Sequence, residues 1–133
     1  VSRSGYSEDC SGWELICWRG AVASAIRGHR GQQFLQKMLA ALDALPHKRL
    51  IAYEIEKDGD VCALGSVARA RSLDATSLDP YDHEGLGKVF DIPSKLVQEI
   101  EFINDYWWGT PEDRFIGVRK WVIQQILRQT EKP

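Results

Sequence analysis

The chain has 133 residues, 44% hydrophobic and 27% charged, with a formal net charge of −2. That length is about one domain, and the composition is that of a globular core able to close without metals or disulfides. No apolar run reaches the roughly 18 residues a membrane helix needs, and Arg3, Glu8 and Asp9 leave no apolar secretory region near the start, so no membrane association is expected. Three cysteines, Cys10, Cys17 and Cys62, are an odd set, which fits reduced thiols in a cytoplasm better than a disulfide framework. Val1 in place of Met is expected to reflect processing, trimming or an alternative start.

In chain order, Trp13, Leu15, Ile16, Trp18, Ala21, Val22, Ala25 and Ile26 recur at three- and four-residue steps, predicting a helix from Ser11 to about Gly28. After a Gly28-His29-Arg30-Gly31 turn, a second stripe from Phe34 to Leu45 predicts a helix that Pro46 ends. Residues 50–64 read either as a short β-hairpin about Lys57-Asp58-Gly59-Asp60 or as a helix followed by a loop. Ala63–Ser72 reads as helix, the polar stretch Asp74–Asp82 as loop, and His83–Phe90 and Ser94–Tyr106 as a short and a longer helix about Asp91-Ile92-Pro93. The last helix has the clearest start, with Thr110 as cap, Pro111 at the first position and Asp113 at the third, and its apolar face runs to Leu127. The expectation is a mainly α-helical single domain over 1–133, a small helical bundle with the 50–64 hairpin left open and flexible ends at 1–10 and 129–133.

Charge is distributed unevenly. Residues 1–50 hold seven Lys/Arg against four Asp/Glu, residues 51–113 five against fourteen, and residues 114–133 five against one. The acidic middle either complements its own basic ends or forms an acidic surface aimed at a basic partner. Glu99, Glu101 and Asp105, with the aromatic pair Trp107 and Trp108, are the candidate partner-binding residues. Two adjacent Trp cannot both point inward, and exposed aromatics mark contact surfaces. Those rings also favour a homodimer over a monomer.

The alternative site is basic. Arg27, His29 and Arg30 flank a helix N-terminus, whose free N–H groups and dipole suit an anion. With Arg114, Arg119 and Lys120 of the last helix they would serve a nucleic-acid or nucleotide binder. The turn lacks the Gly-Lys-Ser/Thr ending of a P-loop, which argues for a plain helix-helix turn with solvated arginines. Leu86, Phe90, Ile92, Val97 and Ile100 are spaced as in a helix-turn-helix, yet the second helix offers Lys95 against Glu99, Glu101 and Asp105, which would repel a duplex.

Neither metal nor cofactor is expected. Cys10, Cys17, Cys62, His29, His47 and His83 match no paired ligand spacing, and buried inert cysteines are the simpler reading. Asp79, Asp82 and Glu84 about His83 read as a solvated acidic loop before a cation site. No nucleophile elbow or His-Glu-x-x-His pair is present, so the chain is not expected to be an enzyme; His29 or His83 would be a general base only by default.

The segments Ser2-Arg3-Ser4-Gly5-Tyr6, Trp18 to Gly28, Ala40 to Pro46 and Val61 to Val67 resemble a group of small phage- and prophage-encoded helical proteins, and the later pattern of Cys62-Ala63-Leu64-Gly65 followed by Ile100 or Phe102 before Asn104-Asp105 is similar to other short helical proteins of mobile elements. The resemblance covers nearly the whole chain and carries no catalytic residues. It implies an accessory protein in the bacterial host cytoplasm that binds a host or phage protein, with a nucleic-acid-handling defence complex such as a CRISPR effector as one target.

Overall fold

The computed structural model describes residues 3–5 and 12–130, with side chains to residue 126. Among them are six α-helices and one antiparallel hairpin: α1 (Gly12–Arg27), α2 (His29–Asp43), β1 (Glu56–Lys57), β2 (Asp60–Val61), α3 (Ala63–Ala70), α4 (His83–Phe90), α5 (Ser94–Asp105) and α6 (Pro111–Thr130), with a 3-10 turn at Ala75–Ser77. No helix of these is long and apolar enough to cross a membrane.

The boundaries follow local chemistry. Thr110 Oγ1 accepts the Asp113 N–H at 3.0 Å and opens α6. Asp82 caps α4 by accepting the Gly85 N–H at 3.0 Å, and Asp91 closes it in the left-handed region at φ 57°. In the hairpin, Glu56 faces Val61 and Lys57 faces Asp60. Asp58 and Gly59 between them have φ of 53° and 87°, the two positive values a two-residue turn needs to match strand twist. Residues 50–64 therefore hold the hairpin, and helix begins only at Ala63.

Between α1 and α2 a single residue breaks the helix. Gly28 is extended (φ −66°, ψ 158°), and the Gln32 N–H already bonds its carbonyl at 2.9 Å. The expected four-residue turn is thus shorter, and His29, Arg30 and Gly31 belong to the first turn of α2.

Phe34, Leu35, Met38 and Leu42 of α2 lie at the centre of the core and pack against α3 and α6. Leu96, Val97 and Ile100 of α5 close the other side against α4, α1 and α3. Phe34 meets Phe90 edge-on at 5.6 Å between ring centroids, joining the two halves. Val22, Ala25 and Ile26 of α1 enter this core, but Trp13, Leu15 and Ile16 are exposed, so the expected buried stripe holds only in the second half of α1. Arg3 and Ser4, inside the stretch expected to be a flexible end, are buried. At the other end α6 continues to Thr130, beyond the expected apolar face that runs to Leu127.

Candidate functional site: an aromatic corner on a buried ionic network

The C-terminal end of α5 carries Glu101, Asn104 and Asp105, and all three point into the protein. What makes this tolerable is Arg3. Its Nε and Nη2 donate to Asp105 Oδ2 and Oδ1 at 2.6 and 2.8 Å, a two-pronged pairing of planar groups. Nη1 lies 3.8 Å from both Cys62 Sγ and Glu101 Oε2. Burial alone would lower the Arg3 pKa; the Cys62 sulfur, the Asp105 hydrogen bond and charge and the Glu101 charge reverse this and hold it above its ordinary range.

Neighbouring elements fasten the same spot. Cys62 caps α3, its sulfur accepting the Gly65 N–H at 3.4 Å. Asn104 accepts from Ala63 N–H and donates to Ile51 O, both at 2.9 Å. His83, at the start of α4, donates its Nε2–H to Arg3 O at 2.5 Å, and Gln98 donates to Ser4 O at 3.0 Å. The carbonyl can only accept, so this contact fixes the proton on Nε2.

Glu101 is the uncompensated member. His83 Nε2 is 2.9 Å from its Oε1, but the one proton there is aligned with Arg3 O, and neither carboxylate oxygen has a partner in hydrogen-bond geometry. Burial pushes its pKa up to about 8; the Arg3 charge opposes this, and those of Asp105 and Asp79 add to it.

Just outside this network lies an exposed corner. The segment from Leu50 to Ile55 passes the end of α5, with Leu50 N–H donating to Pro111 O at 3.1 Å and Tyr53 N–H to Asp105 Oδ1 at 3.0 Å. Tyr53 holds φ at 70°, a value that bulky residues rarely adopt. Its ring is 60% exposed, and Tyr106 and Trp107, directly after Asp105, are 55% and 84% exposed. Trp108 turns inward: its indole N–H donates to Ile103 O at 2.9 Å, and its ring covers Gly117, where a Cβ would come within 2.6 Å of it. Tyr106 packs on Trp108 at 5.1 Å between centroids. The corner therefore stands on fixed backbone. Exposed acids lie in the neighbouring stretches of chain: Glu54, Glu56 and Asp58 about the hairpin, with Glu54 paired to Lys57 at 3.9 Å, and Glu112 and Asp113 in the first turn of α6.

The expected acidic surface is thus corrected in its members. Glu99 and Glu101 are buried and the Asp105 carboxylate is turned inward, because α5 is packed on several sides and Glu101 and Asp105 face the buried Arg3 cation. Trp107 is exposed as one of the pair had to be, and Trp108 is half-buried.

The basic set does not form one patch. Arg114 is an internal strut, donating from Nε to Asn104 O at 2.8 Å and from Nη1 to Leu50 O at 3.3 Å. Arg119 pairs with Asp43 at 2.7 Å, Arg30 with Asp91 at 3.2 Å, and Arg27 reaches Ser24 Oγ at 3.5 Å. Arg30 and Asp43 sit at opposite ends of α2, so the two basic groups are roughly 20 Å apart at the helical rise per residue. His29 and Arg30 share a shallow groove with Pro93 and Lys95, and Lys120 lines another with Ile116 and Ile123.

The helix-turn-helix spacing does make a helix pair, α4 on α5. Its second helix turns Leu96, Val97, Ile100, Glu101 and Asn104 inward, while Lys95 lies over the Trp18 ring and Gln98 bonds Ser4 O. The acidic loop is likewise used locally: Asp82 caps α4, Asp79 accepts from Tyr81 N–H and His83 faces Arg3. No group of three His, Cys, Asp or Glu among the described residues could hold a metal ion. Cys17 is exposed, against the expectation of buried cysteines, Cys62 is buried, and Cys10 lies outside the described residues.

Reasoning from the sequence missed Arg3, Ser4 and Tyr53 as parts of a site. Arg3, Cys62, Ala63, Asn104 and Asp105 reach this network from three separate stretches of the chain, a convergence that no local pattern signals. No family model, no curated protein and no solved structure matches this chain.

Proposed function

We propose that this protein is a non-enzymatic binding module that docks a basic protein surface at the corner formed by Tyr53, Tyr106 and Trp107. The observation that carries this reading is Trp107, 84% exposed beside Trp108, whose indole N–H is tied to Ile103 O. An exposed indole is a costly feature in water, and an aromatic anchor inside a polar rim is how a few residues come to dominate an interface. The acids Glu54, Glu56, Asp58, Glu112 and Asp113 supply a rim complementary to a basic partner. Together with the resemblance to phage-encoded proteins, this favours a host nucleic-acid-handling complex as the target class, since surfaces that hold nucleic acid are basic.

The test is capture from nuclease-treated bacterial lysate, wild type against Trp107→Ala. A stoichiometric partner that Trp107→Ala binds at least about 30-fold more weakly is the expected result for an anchor of this kind. A partner retained equally by the variant would overturn the assignment of the corner.

A second reading, nucleic-acid or nucleotide binding, rests on the groove of His29, Arg30 and Lys95 next to Arg27. It requires binding that falls steeply with salt, and a flat low-salt titration against DNA, RNA and nucleotides would remove it.

A further inference from the structure

Tyr53 is an exposed, bulky residue with φ of 70°, and no glycine or asparagine chemistry explains it. Such conformations persist only where their surroundings over-determine them. Ile51 and Ile55 on either side are tied to Val61 and Cys62 by backbone bonds, and at Tyr53 itself the tie is a carboxylate. Asp105 Oδ1 accepts from Tyr53 N–H at 3.0 Å, from Arg3 Nη2 at 2.8 Å and from Asn104 Nδ2 at 2.9 Å, while Oδ2 accepts from Arg3 Nε at 2.6 Å. Asn104 Nδ2 also donates to Ile51 O, two residues before Tyr53. The carboxylate is aimed by Arg3, and Arg3 is itself seated by His83 on its carbonyl and by Gln98 on the next one. A chain of direct contacts thus runs from the N-terminal segment through Asp105 to the backbone of an exposed aromatic residue.

We propose that Arg3 is a positioning residue for the aromatic corner, holding Tyr53 in its left-handed conformation through the Asp105 carboxylate. This rests on reading the corner as the docking surface for its relevance, although the coupling is a property of the free protein. Without the guanidinium, Asp105 has no cation to orient it and turns away from Tyr53 N–H. Tyr53 then relaxes to the ordinary negative-φ regions, carrying its ring away from Tyr106 and Trp107. An event that withdraws the first residues of this segment, such as proteolytic trimming past Arg3, would reshape the corner without touching a contact residue.

The experiment is backbone NMR and amide exchange on the free protein, comparing wild type, Arg3→Gln, Arg3→Lys and Tyr53→Gly with and without Arg3→Gln. Expected in Arg3→Gln are loss of the left-handed shift signature at Tyr53 and exchange of its N–H faster by on the order of tenfold, while the chemical shifts of Leu35 and Met38 stay at their native values. Arg3→Lys, which keeps the charge but not the two-pronged pairing, should fall between, and carries the test if Arg3→Gln does not fold. In Tyr53→Gly the left-handed backbone needs no enforcement, so adding Arg3→Gln should leave the signals of residue 53 in place. Unchanged Tyr53 signals in both Arg3 variants would overturn the proposal. So would shift changes at Leu35 and Met38 as large as those at Tyr53, which would make Arg3 a support of the whole fold. No partner enters these measurements, so they can fail while Trp107→Ala still loses its partner, and the reverse.

Discussion

Helices α5 and α1 break the amphipathic rule in opposite senses. The end of α5 buries Glu101 and Asn104 and turns Asp105 inward, whereas the first two turns of α1 leave Trp13, Leu15 and Ile16 in solvent. In each case the deciding factor lies outside the helix. The acids of α5 are inside because Arg3 and His83 arrive from elsewhere in the chain, and the apolar residues of α1 are outside because the core engages that helix only from Val22 onward. A pattern along one helix states what it could bury, and its neighbours determine what it does bury.

Removing the cation is the sharpest way to break this contrast. Arg3→Met should cost about 3–5 kcal/mol in denaturant unfolding, the range for leaving one partner of a buried ion pair uncompensated. A cost below about 1 kcal/mol would mean that Asp105 is not held as described.

Next comes pH. The folded pKa of Glu101, about 8, lies above its ordinary 4.5, so the fold binds this proton more tightly than the unfolded chain does. The stabilisation is fully present below about pH 4.5 and is lost as pH rises through about 8. Glu101→Gln, neutral throughout, should remove this decline and exceed wild type in stability above pH 8. Parallel stability curves for the two proteins between these limits would show that Glu101 does not titrate in this window.

The smallest effect belongs to α1. Trp13→Ser and Ile16→Ala should each change stability by no more than about 0.5 kcal/mol, as substitutions at exposed positions do. A loss of 2 kcal/mol or more, on the order of a buried apolar side chain, would place these residues in a core after all.

The same contrast explains how much could be read from the sequence. Features fixed by neighbours in the chain were legible: the Asp58-Gly59 turn as one of two alternatives, the Thr110-Pro111 start of α6, and the α4–α5 pair with Asp91 at its corner. That one of Trp107 and Trp108 is exposed followed from geometry; which one did not, and it is Trp108 that takes the inward place over Gly117. The network did not follow, because nothing in the composition of residues 94–105 announces a cation supplied by residue 3. Counting Glu99, Glu101 and Asp105 as surface charge was the natural result of seeing acids without their partner. Arg114 was misread for a related reason: its targets, the Asn104 and Leu50 carbonyls, are backbone groups that leave no mark in a sequence.

The bond between Arg3 and Asp105 joins residues 102 positions apart. Closing so long a loop is entropically costly, and the acceptor site exists only once α3, α4 and α5 have met, since these contribute Cys62, His83 and Asp105. It is therefore expected to form late in folding, which a refolding rate of Arg3→Met equal to that of wild type would bear out. Contacts of that kind act almost wholly on the escape rate from the native state. The N-terminal arginine is in kinetic terms a latch: its loss would shorten the lifetime of the folded protein while leaving the speed of folding unchanged.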